Sequence, residues 1–322
     1  MVFSLLQPKC CNNKTCVYLL QKIHSLVSGQ SSSCQLAPRS CTTRTQHQLL
    51  LLPPLAQTRK AFGAALSSLN KMTYHCCPAQ VGPSVLDCDM AQLANEGKKA
   101  LEAGASYLHL DVMDGHFVPN ISFGPYVIEC LRKHIPNVFF DCHMMTSHPE
   151  KWIEKVARAQ GSEPGLLCYT FHYEATEPRG KTQEVIDLIK QNNMKVGLTV
   201  SPDTPVGALL KYADQIDLAL IMTVYPGKGG QSFIEEMMSK VMTLREAYPN
   251  LDIEVDGGVK PKTVDMAAKA GANLIVSGSG VYKAEDMAFN ISTMQRSVEK
   301  YGLGKSDDEC TPLRTDAGAA KK

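Results

Sequence analysis

The first 86 residues of this 322-residue chain contain no aspartate or glutamate, although they carry eight of its 33 lysine and arginine residues. The rest of the chain therefore holds 25 basic groups against 32 acidic ones. A nucleic-acid-binding domain usually presents an excess of positive charge on one face. The mildly acidic remainder argues against a nucleic acid as partner.

The sequence also lacks an apolar run long enough to cross a bilayer, since the leucine run at residues 49–52 is short and ends at Pro53 and Pro54. We therefore expect no membrane partner. Residues 1–78 are rich in serine, threonine, glutamine, leucine and arginine, a composition typical of organellar transit peptides. A disordered N-terminal extension fits the same composition, as does upstream sequence that is not translated because Met72 is the working start.

Cysteine pairs at the spacing of a zinc site are missing as well. Seven of the twelve cysteines lie at or before residue 77, and the other five are scattered singly. Cys10, Cys11 and Cys16 form a small cluster, but no second pair follows within about 20 residues, as a cysteine zinc site requires. Scattered cysteines in a long chain indicate a reduced, intracellular protein. We expect the cytoplasm, or a mitochondrion or plastid if residues 1–78 are a transit peptide.

Strand-like runs alternate with amphipathic helical runs from residue 79 to residue 302. The predicted strands are 80–86, 106–112, 138–144, 167–172, 195–200, 216–222, 251–256 and 273–277. The predicted helices are 90–103, 124–134, 149–160, 180–192, 204–212, 232–247, 262–270 and 285–299. Eight of each in strict alternation predict an α/β protein of the (β/α)₈ TIM-barrel class, a single domain of residues 79–302. Residues 303–322 are polar and are expected to form a frayed tail.

The richest stretch is HLDVMDG at residues 109–115, where an imidazole and a carboxylate stand two residues apart at the end of an apolar run. Side chains two apart share one face of a strand, so His109 and Asp111 point the same way. His143 closes the third predicted strand and Asp256 the seventh. Because the C-terminal ends of barrel strands meet at one face, we expect these four side chains to form a metal site. Their mixture of nitrogen and oxygen favours Zn²⁺, Mn²⁺ or Fe²⁺ over Ca²⁺ or Mg²⁺.

Other polar side chains near these strand ends have supporting roles in this interpretation. Asp114 is expected to cap the turn before Gly115, and Asp141, one layer deeper than His143, to orient an imidazole. His172 is better explained as a hydrogen-bonded core group than as a substrate contact. Methionines also close three inward-facing strand ends, where they either fill the core or line a pocket that shields a carbanion from water: Met113, Met145 and Met222.

Glycine-rich turns follow the last three predicted strands, at residues 225–231, 257–258 and 277–280. Glycine lets backbone N–H groups approach an anion closely, and a helix N-terminus adds partial positive charge. A phosphate site built from the loops after strands seven and eight recurs among barrels of this class. The sequence therefore predicts a phosphorylated small molecule as the ligand.

As a set, these motifs closely resemble those of the ribulose-phosphate 3-epimerase family over about residues 79–300. The segments that carry the resemblance are Gly82-Pro83-Ser84, the highly specific run from His109 to Asn120, His143-Met144-Met145, Pro226-Gly227, residues 254–258 and Ser277-Gly278-Ser279. The resemblance implies that His109, Asp111, His143 and Asp256 bind one divalent ion (Zn, Fe or Mn). Asp111 and Asp256 would double as the catalytic acid and base. The residues that would bind the substrate are Ser84, Met113, His143, Met145, Met222, Gly227, Gly229, Gly230, Gly258, Gly278 and Ser279.

The activity implied by the resemblance is epimerisation of D-ribulose 5-phosphate at carbon 3 to D-xylulose 5-phosphate, a step of the pentose phosphate pathway. Asp111 would take a proton from one face of the sugar, an enediolate would form, and protonated Asp256 would return a proton to the other face. In the reverse direction the two roles exchange, and no redox cofactor is required. The resemblance also implies a homo-oligomer, expected to be a homodimer.

The chain departs from the family pattern in three places. Tyr225 and Lys228 stand where an acidic and an aromatic residue are usual, residues 160–165 lengthen a loop, and Gly280 replaces a common alanine. Two other functions remain open: an epimerase of another ketose phosphate such as allulose 6-phosphate, and a non-catalytic phosphosugar-binding barrel. A decarboxylase of the orotidine type is disfavoured, because the second strand lacks the Asp-x-Lys-x-x-Asp arrangement of that class.

Overall fold

The computed structural model describes residues 79–161 and 163–301. Eight parallel strands form one sheet in the order β1-β8-β7-β6-β5-β4-β3-β2. They are β1 (Gln80–Pro83), β2 (Leu108–Met113), β3 (Phe140–Met145), β4 (Leu167–His172), β5 (Lys195–Val200), β6 (Leu218–Met222), β7 (Asp252–Asp256) and β8 (Leu274–Ser277). The predictions for the N-terminal extension and the C-terminal tail lie outside the described residues.

The sheet closes on itself between its first and second strands. The Ser106 N–H donates to the Val81 carbonyl at 2.9 Å, and Ser84 forms an isolated parallel bridge with His109. All seven other neighbouring pairs are regular parallel ladders. The predicted (β/α)₈ barrel is therefore confirmed, and each of the eight predicted strands is present.

Helices alternate with the strands around the barrel. They are α1 (Leu93–Glu102), α2 (Pro125–His134), α3 (Ile153–Val156), α4 (Tyr173–Thr176), α5 (Thr182–Gln191), α6 (Gly207–Leu210), α7 (Met238–Ala247), α8 (Val264–Ala270), α9 (Ser279–Tyr282) and α10 (Met287–Tyr301). Short 3₁₀ turns lie at Val85–Asp87, Met90–Gln92, Pro149–Lys151, Ala157–Ala159, Glu177–Arg179, Ala213–Gln215 and Glu235–Met237. None of the helices in the described ranges has both the length and the apolar character needed to cross a membrane.

Local sequence explains where most of these elements begin and end. Helix α2 starts with Pro125, whose fixed φ suits the first turn and whose missing N–H would have no helical partner there. Helix α8 stops at Gly271, which has a φ of +107°, the left-handed conformation that glycine adopts without strain. The sequence places a helix over 149–160, but the structure breaks it into α3 with a 3₁₀ turn on each side. The short helices α4 and α9 follow strands directly and were not predicted.

The main hydrophobic core lies between the strands and the surrounding helices, and a smaller buried apolar cluster, which includes Tyr107 and Leu220, lies on the inner side of the strands. On β2, for example, Leu108, Leu110 and Val112 belong to the main core, while the alternating His109 and Asp111 point inward. Inward-facing positions of the other strands also hold buried polar groups, among them Asp141, Thr170, His172 and Glu254. The alternation of the strands therefore delivers ionisable side chains to the barrel interior.

Candidate active site

A pocket of about 500 Å³, including the part open to solvent, lies at the face where the strands end. The loops after β1, β6, β7 and β8 surround it. Its lining includes these predicted site residues: Ser84, Asp111, Met113, Met145, Met222, Gly227, Gly229, Gly230, Asp256, Gly258, Gly278 and Ser279. The remaining two, His109 and His143, are fully buried next to the two carboxylates.

Four ligand atoms converge at the floor of this pocket. His109 Nε2 lies 3.3 Å from His143 Nδ1, and Asp111 Oδ1 lies 3.4 Å and 3.1 Å from these two nitrogens. Asp256 Oδ2 is 3.7 Å from each of the same nitrogens. The structure thus brings together the four side chains that the sequence assigned to a metal site.

These separations fit a divalent ion. In tetrahedral coordination with bonds of about 2.1 Å, the ligand atoms stand about 3.4 Å apart, close to the spacings observed here. The two facing imidazole nitrogens also indicate a cation site. His109 Nε2 and His143 Nδ1 would repel each other as bare lone pairs unless a proton or a cation lay between them. The donor set and its geometry can therefore hold a metal ion, without selecting which one.

The two carboxylates of the site have opposite pKa shifts. Burial opposes the charge of Asp111, but the charges and hydrogen bonds of His109 and His143 outweigh it and hold the pKa of Asp111 well below its usual range. Burial raises the pKa of Asp256 to about 7, and the neighbouring carboxylates add to this shift against the opposing charge of His109. Near neutral pH one carboxyl is thus ionised while the other can carry a proton, which is the pairing that acid–base chemistry needs.

A second polar layer lies below the ligands. Asp141 is the register partner of His109 across β2 and β3, and its Oδ2 is 2.8 Å from His109 Nδ1, although the N–H is poorly aligned for a hydrogen bond. The Thr170 hydroxyl donates to the other oxygen of Asp141. Asp141 therefore lies beside an imidazole, as predicted. This imidazole is that of His109 on the neighbouring strand rather than that of His143.

Glu254 completes this layer and was not singled out from the sequence. Its Oε1 accepts a hydrogen bond from the Tyr107 hydroxyl at 2.5 Å and lies 3.7 Å from His109 Nδ1. Burial raises the pKa of Glu254 to about 8, and the charge of Asp141 adds to the shift. The sequence does contain a signal for Glu254, because this residue stands two positions before Asp256 and therefore lies on the same face of β7.

Several predicted neighbours of the ligands have the expected contacts. The Ser84 hydroxyl donates to Asp111 Oδ2 at 2.6 Å. Asp114 caps its turn by accepting from the backbone N–H groups of His116 and Phe117, both at 2.8 Å. His172 is fully buried and contacts His143 rather than the pocket, so the prediction of a core histidine is confirmed.

The glycine-rich turns lie together on one side of the pocket. Gly258 has a φ of +68°, and a Cβ there would stand 2.5 Å from the backbone nitrogen of Phe233, so only glycine fits this close approach. A charged side chain that the sequence did not indicate lies next to these turns. Asp87 lines the pocket beside Gly278 and pairs with Lys283 at 2.6 Å. It follows β1 by four residues, a position from which a strand-end loop reaches the site.

Comparison with known proteins agrees with this geometry. Residues 80–282 match the model of the ribulose-phosphate 3 epimerase family. The chain is 46% identical over 228 residues to ribulose-phosphate 3-epimerase of Eremothecium gossypii, covering 68% of this chain and 92% of that protein. It is 46% identical over 224 residues to the cytoplasmic isoform of Oryza sativa subsp. japonica, covering 69% and 95%. It is 40% identical over 223 residues to the Bacillus subtilis enzyme, covering 68% and 99%.

Solved structures with a similar fold include KGPDC from Streptococcus mutans, with a TM-score of 0.53 and 14% identity over 70% of this chain and 99% of that one. 3-Hexulose-6-phosphate synthase from Salmonella typhimurium has a TM-score of 0.52 and 14% identity over 69% and 99%. At such low identity these two show the barrel fold alone. The family match and the relatives above 30% identity carry the assignment, and the chain belongs to the ribulose-phosphate 3-epimerase family of isomerases.

Proposed function

We propose that this protein is a metal-dependent epimerase that interconverts D-ribulose 5-phosphate and D-xylulose 5-phosphate. The observation that carries the proposal is the pair of carboxylates, Asp111 and Asp256, which share one pocket with a set of glycine-rich turns. Inversion at a carbon next to a ketone needs one group that removes a proton and another that returns it. Two carboxyl groups in one pocket can meet this need without a redox cofactor.

One divalent ion would be held by the four converging side chains, His109, Asp111, His143 and Asp256. When bound, such an ion supplies Lewis-acid polarisation of the substrate carbonyl, which is worth several kcal/mol in reactions of this kind. The carboxylates raise the pKa of His109 against the effect of burial, so the cluster attracts positive charge. A metal ion would replace the proton that His109 otherwise holds.

In this proposal Asp111 removes the proton from carbon 3 of D-ribulose 5-phosphate and Asp256 delivers a proton to the opposite face. The Ser84 hydroxyl donates to one oxygen of Asp111 and so fixes the orientation of the base. Three methionines line the pocket near these groups, and their side chains have no exchangeable proton with which to quench the enediolate: Met113, Met145 and Met222.

The phosphate of the substrate would lie against the glycine-rich turns after β6, β7 and β8. These turns expose backbone to the pocket at Gly227, Gly229, Gly230, Gly258, Gly278 and Ser279. Lys228 lines the same pocket, and within the described part of the chain no carboxylate lies within ion-pair distance of it. We infer that the positive charge of Lys228 contributes to phosphate binding in this chain.

The direct test is to incubate the protein with D-ribulose 5-phosphate in heavy water and follow carbon 3 by NMR. We expect D-xylulose 5-phosphate that carries deuterium at carbon 3. Equal turnover of allulose 6-phosphate would instead favour the other ketose epimerase, and binding of either sugar without exchange would favour a non-catalytic barrel.

Loss of all activity on chelation, restored by Zn²⁺, Mn²⁺ or Fe²⁺, would support the metal site, and full activity of metal-free protein would contradict it.

Two variants separate the roles of the carboxylates. In Asp256→Asn, Asp111 still removes and returns the proton on its own side, so D-ribulose 5-phosphate should exchange its carbon-3 hydrogen without epimerising. In Asp111→Asn the same one-sided exchange should occur only with D-xylulose 5-phosphate. Metal content is measured for each variant, because asparagine keeps a neutral oxygen ligand but lacks the charge. Near-parental epimerisation by either variant would refute the two-carboxylate scheme.

The homodimer and the cytoplasmic location stay predictions.

A further inference from the structure

The glycine-rich turn after β6 (residues 225–231, the β6 turn) is closed by its own last side chain. The Gln231 amide nitrogen donates to the Tyr225 carbonyl at 2.6 Å and to the Lys228 carbonyl at 2.9 Å. Both partners are acceptors, so the end of the Gln231 side chain that faces them must be its NH₂ group. One side chain therefore engages two carbonyl oxygens of the turn.

The loop after β2 supplies a second amide to the β6 turn. Asn120 Nδ2 donates to the Gly227 carbonyl at 3.0 Å, while Asn120 Oδ1 accepts from the Ile121 N–H at 2.9 Å. The backbone of Asn120 is fixed as well, because its N–H donates to the Val118 carbonyl and its carbonyl accepts from the Gly115 N–H. Since Oδ1 is already engaged, the NH₂ end of the amide faces Gly227.

The N–H groups of the β6 turn show the opposite pattern. Among residues 79–161 and 163–301, no atom accepts a hydrogen bond from the backbone N–H of Lys228, Gly229 or Gly230. All three residues line the pocket. Successive backbone N–H groups of a turn can form a concave site for an anion. The turn thus has carbonyl groups that are occupied by side chains and N–H groups that are available to a ligand.

The planarity of the peptide bond links these two observations. In a trans peptide the carbonyl of one residue and the N–H of the next point in opposite directions, and the described residues contain no cis peptide bond. When Asn120 holds the Gly227 carbonyl, the Lys228 N–H points away from Asn120, which lies outside the pocket lining. When Gln231 holds the Lys228 carbonyl, the Gly229 N–H points away from that amide.

We propose that Asn120 and Gln231 are positioning residues that orient the N–H groups of Lys228 and Gly229 toward the phosphate of the substrate. Without these two amides the peptides of the turn would be free to rotate and present carbonyl oxygens, which repel a phosphate. The inference rests on the proposed function for the identity of the ligand, but phosphate binding can be measured without turnover.

Substitutions of the two amides test this role. Gln231→Met keeps the length of the side chain but has no donor for the two carbonyls. We expect its dissociation constant for inorganic phosphate to rise about ten-fold, roughly the effect of one to two ordinary hydrogen bonds. Asn120→Leu releases one carbonyl and should raise the same constant about five-fold. The free energy of unfolding should change little, because neither side chain belongs to the hydrophobic core.

The amide resonances of Lys228 and Gly229 report the orientation directly. When the parent is titrated with inorganic phosphate and followed by ¹H–¹⁵N NMR, both amide protons should move downfield as they donate to the anion. Asn120→Leu should lose the shift of Lys228, and Gln231→Met should lose that of Gly229. A merely structural role would weaken phosphate binding without this selectivity.

Gln295→Met is the matched control. The Gln295 amide nitrogen also donates to two acceptors, the Gly104 carbonyl at 2.9 Å and the Ser106 hydroxyl at 3.3 Å, and this residue lies outside the pocket lining. The substitution should leave the phosphate affinity and both amide shifts unchanged.

Two results would overturn the proposal. One is a phosphate affinity of Gln231→Met equal to that of the parent. The other is a parent that epimerises D-ribulose 5-phosphate although phosphate shifts neither amide proton, which would leave the proposed function intact. A parent that shows the selective shifts but does not epimerise the sugar would support the role of the two amides and contradict the proposed function.

Discussion

The carboxylate of Asp87 places a negative charge beside the proposed phosphate site, where it would repel a bound phosphate. Its Oδ2 is 2.4 Å from the position that a Cβ on Gly278 would occupy, and 3.0 Å from the corresponding position on Gly229. A phosphate bound by the N–H groups of these turns would therefore lie about 6 Å from the carboxylate, allowing for a hydrogen bond of ordinary length. We predict that Asp87→Asn tightens the binding of a phosphorylated ligand.

The size of the effect follows from Coulomb's law. Two unit charges about 6 Å apart interact with about 0.7 kcal/mol in water, and a phosphate dianion doubles this. Lys283 is paired with Asp87 at 2.6 Å and already offsets part of the repulsion. The net gain should be about 1 kcal/mol, or about a five-fold lower dissociation constant, and it should shrink as salt is added.

Isothermal titration with D-ribulose 5-phosphate, and with inorganic phosphate as a second probe, measures this gain. Asp89→Asn is the matched control, because it changes the net charge equally, lies outside the pocket lining and keeps an oxygen to cap the Ala91 N–H. Repulsion by Asp87 is refuted if Asp87→Asn binds the phosphorylated ligand no more tightly than the parent. It is also refuted if Asp89→Asn gives the same gain, because the effect would then be one of overall charge.

Three further outcomes can be measured on single variants. Lys228→Gln should raise KM about three-fold with little change in kcat, since an exposed cation near a phosphate is worth less than 1 kcal/mol, and an unchanged KM would exclude its role in binding. Gly197→Ala should cost about 3 kcal/mol in urea unfolding, because its Cβ would lie 2.1 Å from the Thr170 hydroxyl, and parental stability would contradict that packing. The hydrogen bonds of Arg179 lower the pKa of Glu150 to about 2 against the effect of burial, so this pair should stabilise the fold above pH 4.5 and lose that effect as the pH falls toward 2. Glu150→Gln should therefore lower the free energy of unfolding by about 1 kcal/mol at pH 6, by about half of that or less at pH 3 and by little at pH 2, and a difference that persists undiminished at pH 2 would refute the assignment.

The sequence predicted every strand because short strand-like runs alternate with amphipathic helical runs, a local pattern. It predicted the four converging ligands because they occupy inward-facing positions of three strands, although only Asp256 is the last residue of its strand: β2 and β3 continue to Met113 and Met145, beyond the predicted strand ends. Boundaries were less accurate: β1 ends at Pro83 rather than at residue 86, because a 3₁₀ turn begins at Val85. The helix expected at 204–212 is reduced to α6, Gly207–Leu210.

Contacts between distant segments explain what the sequence could not predict. Whether Asp141 would support His143 on its own strand or His109 on the next depends on the register of β2 against β3, which no local pattern encodes. The pairing of Asp87 with Lys283 spans 196 positions of the chain.

Strands such as β2 carry core residues on their outer side and ionisable residues on their inner side, and this division affects how such a protein can change. Alternate residues of such a strand have different roles. The outward-facing residues pack against the helices, and the inward-facing residues determine the reactivity of the interior. An exchange of one inward group for another disturbs local charge but leaves the helix-facing contacts intact. Where an inward position has room for the new side chain, unlike Gly197, new chemistry can therefore arise in this scaffold without loss of the contacts that secure its fold.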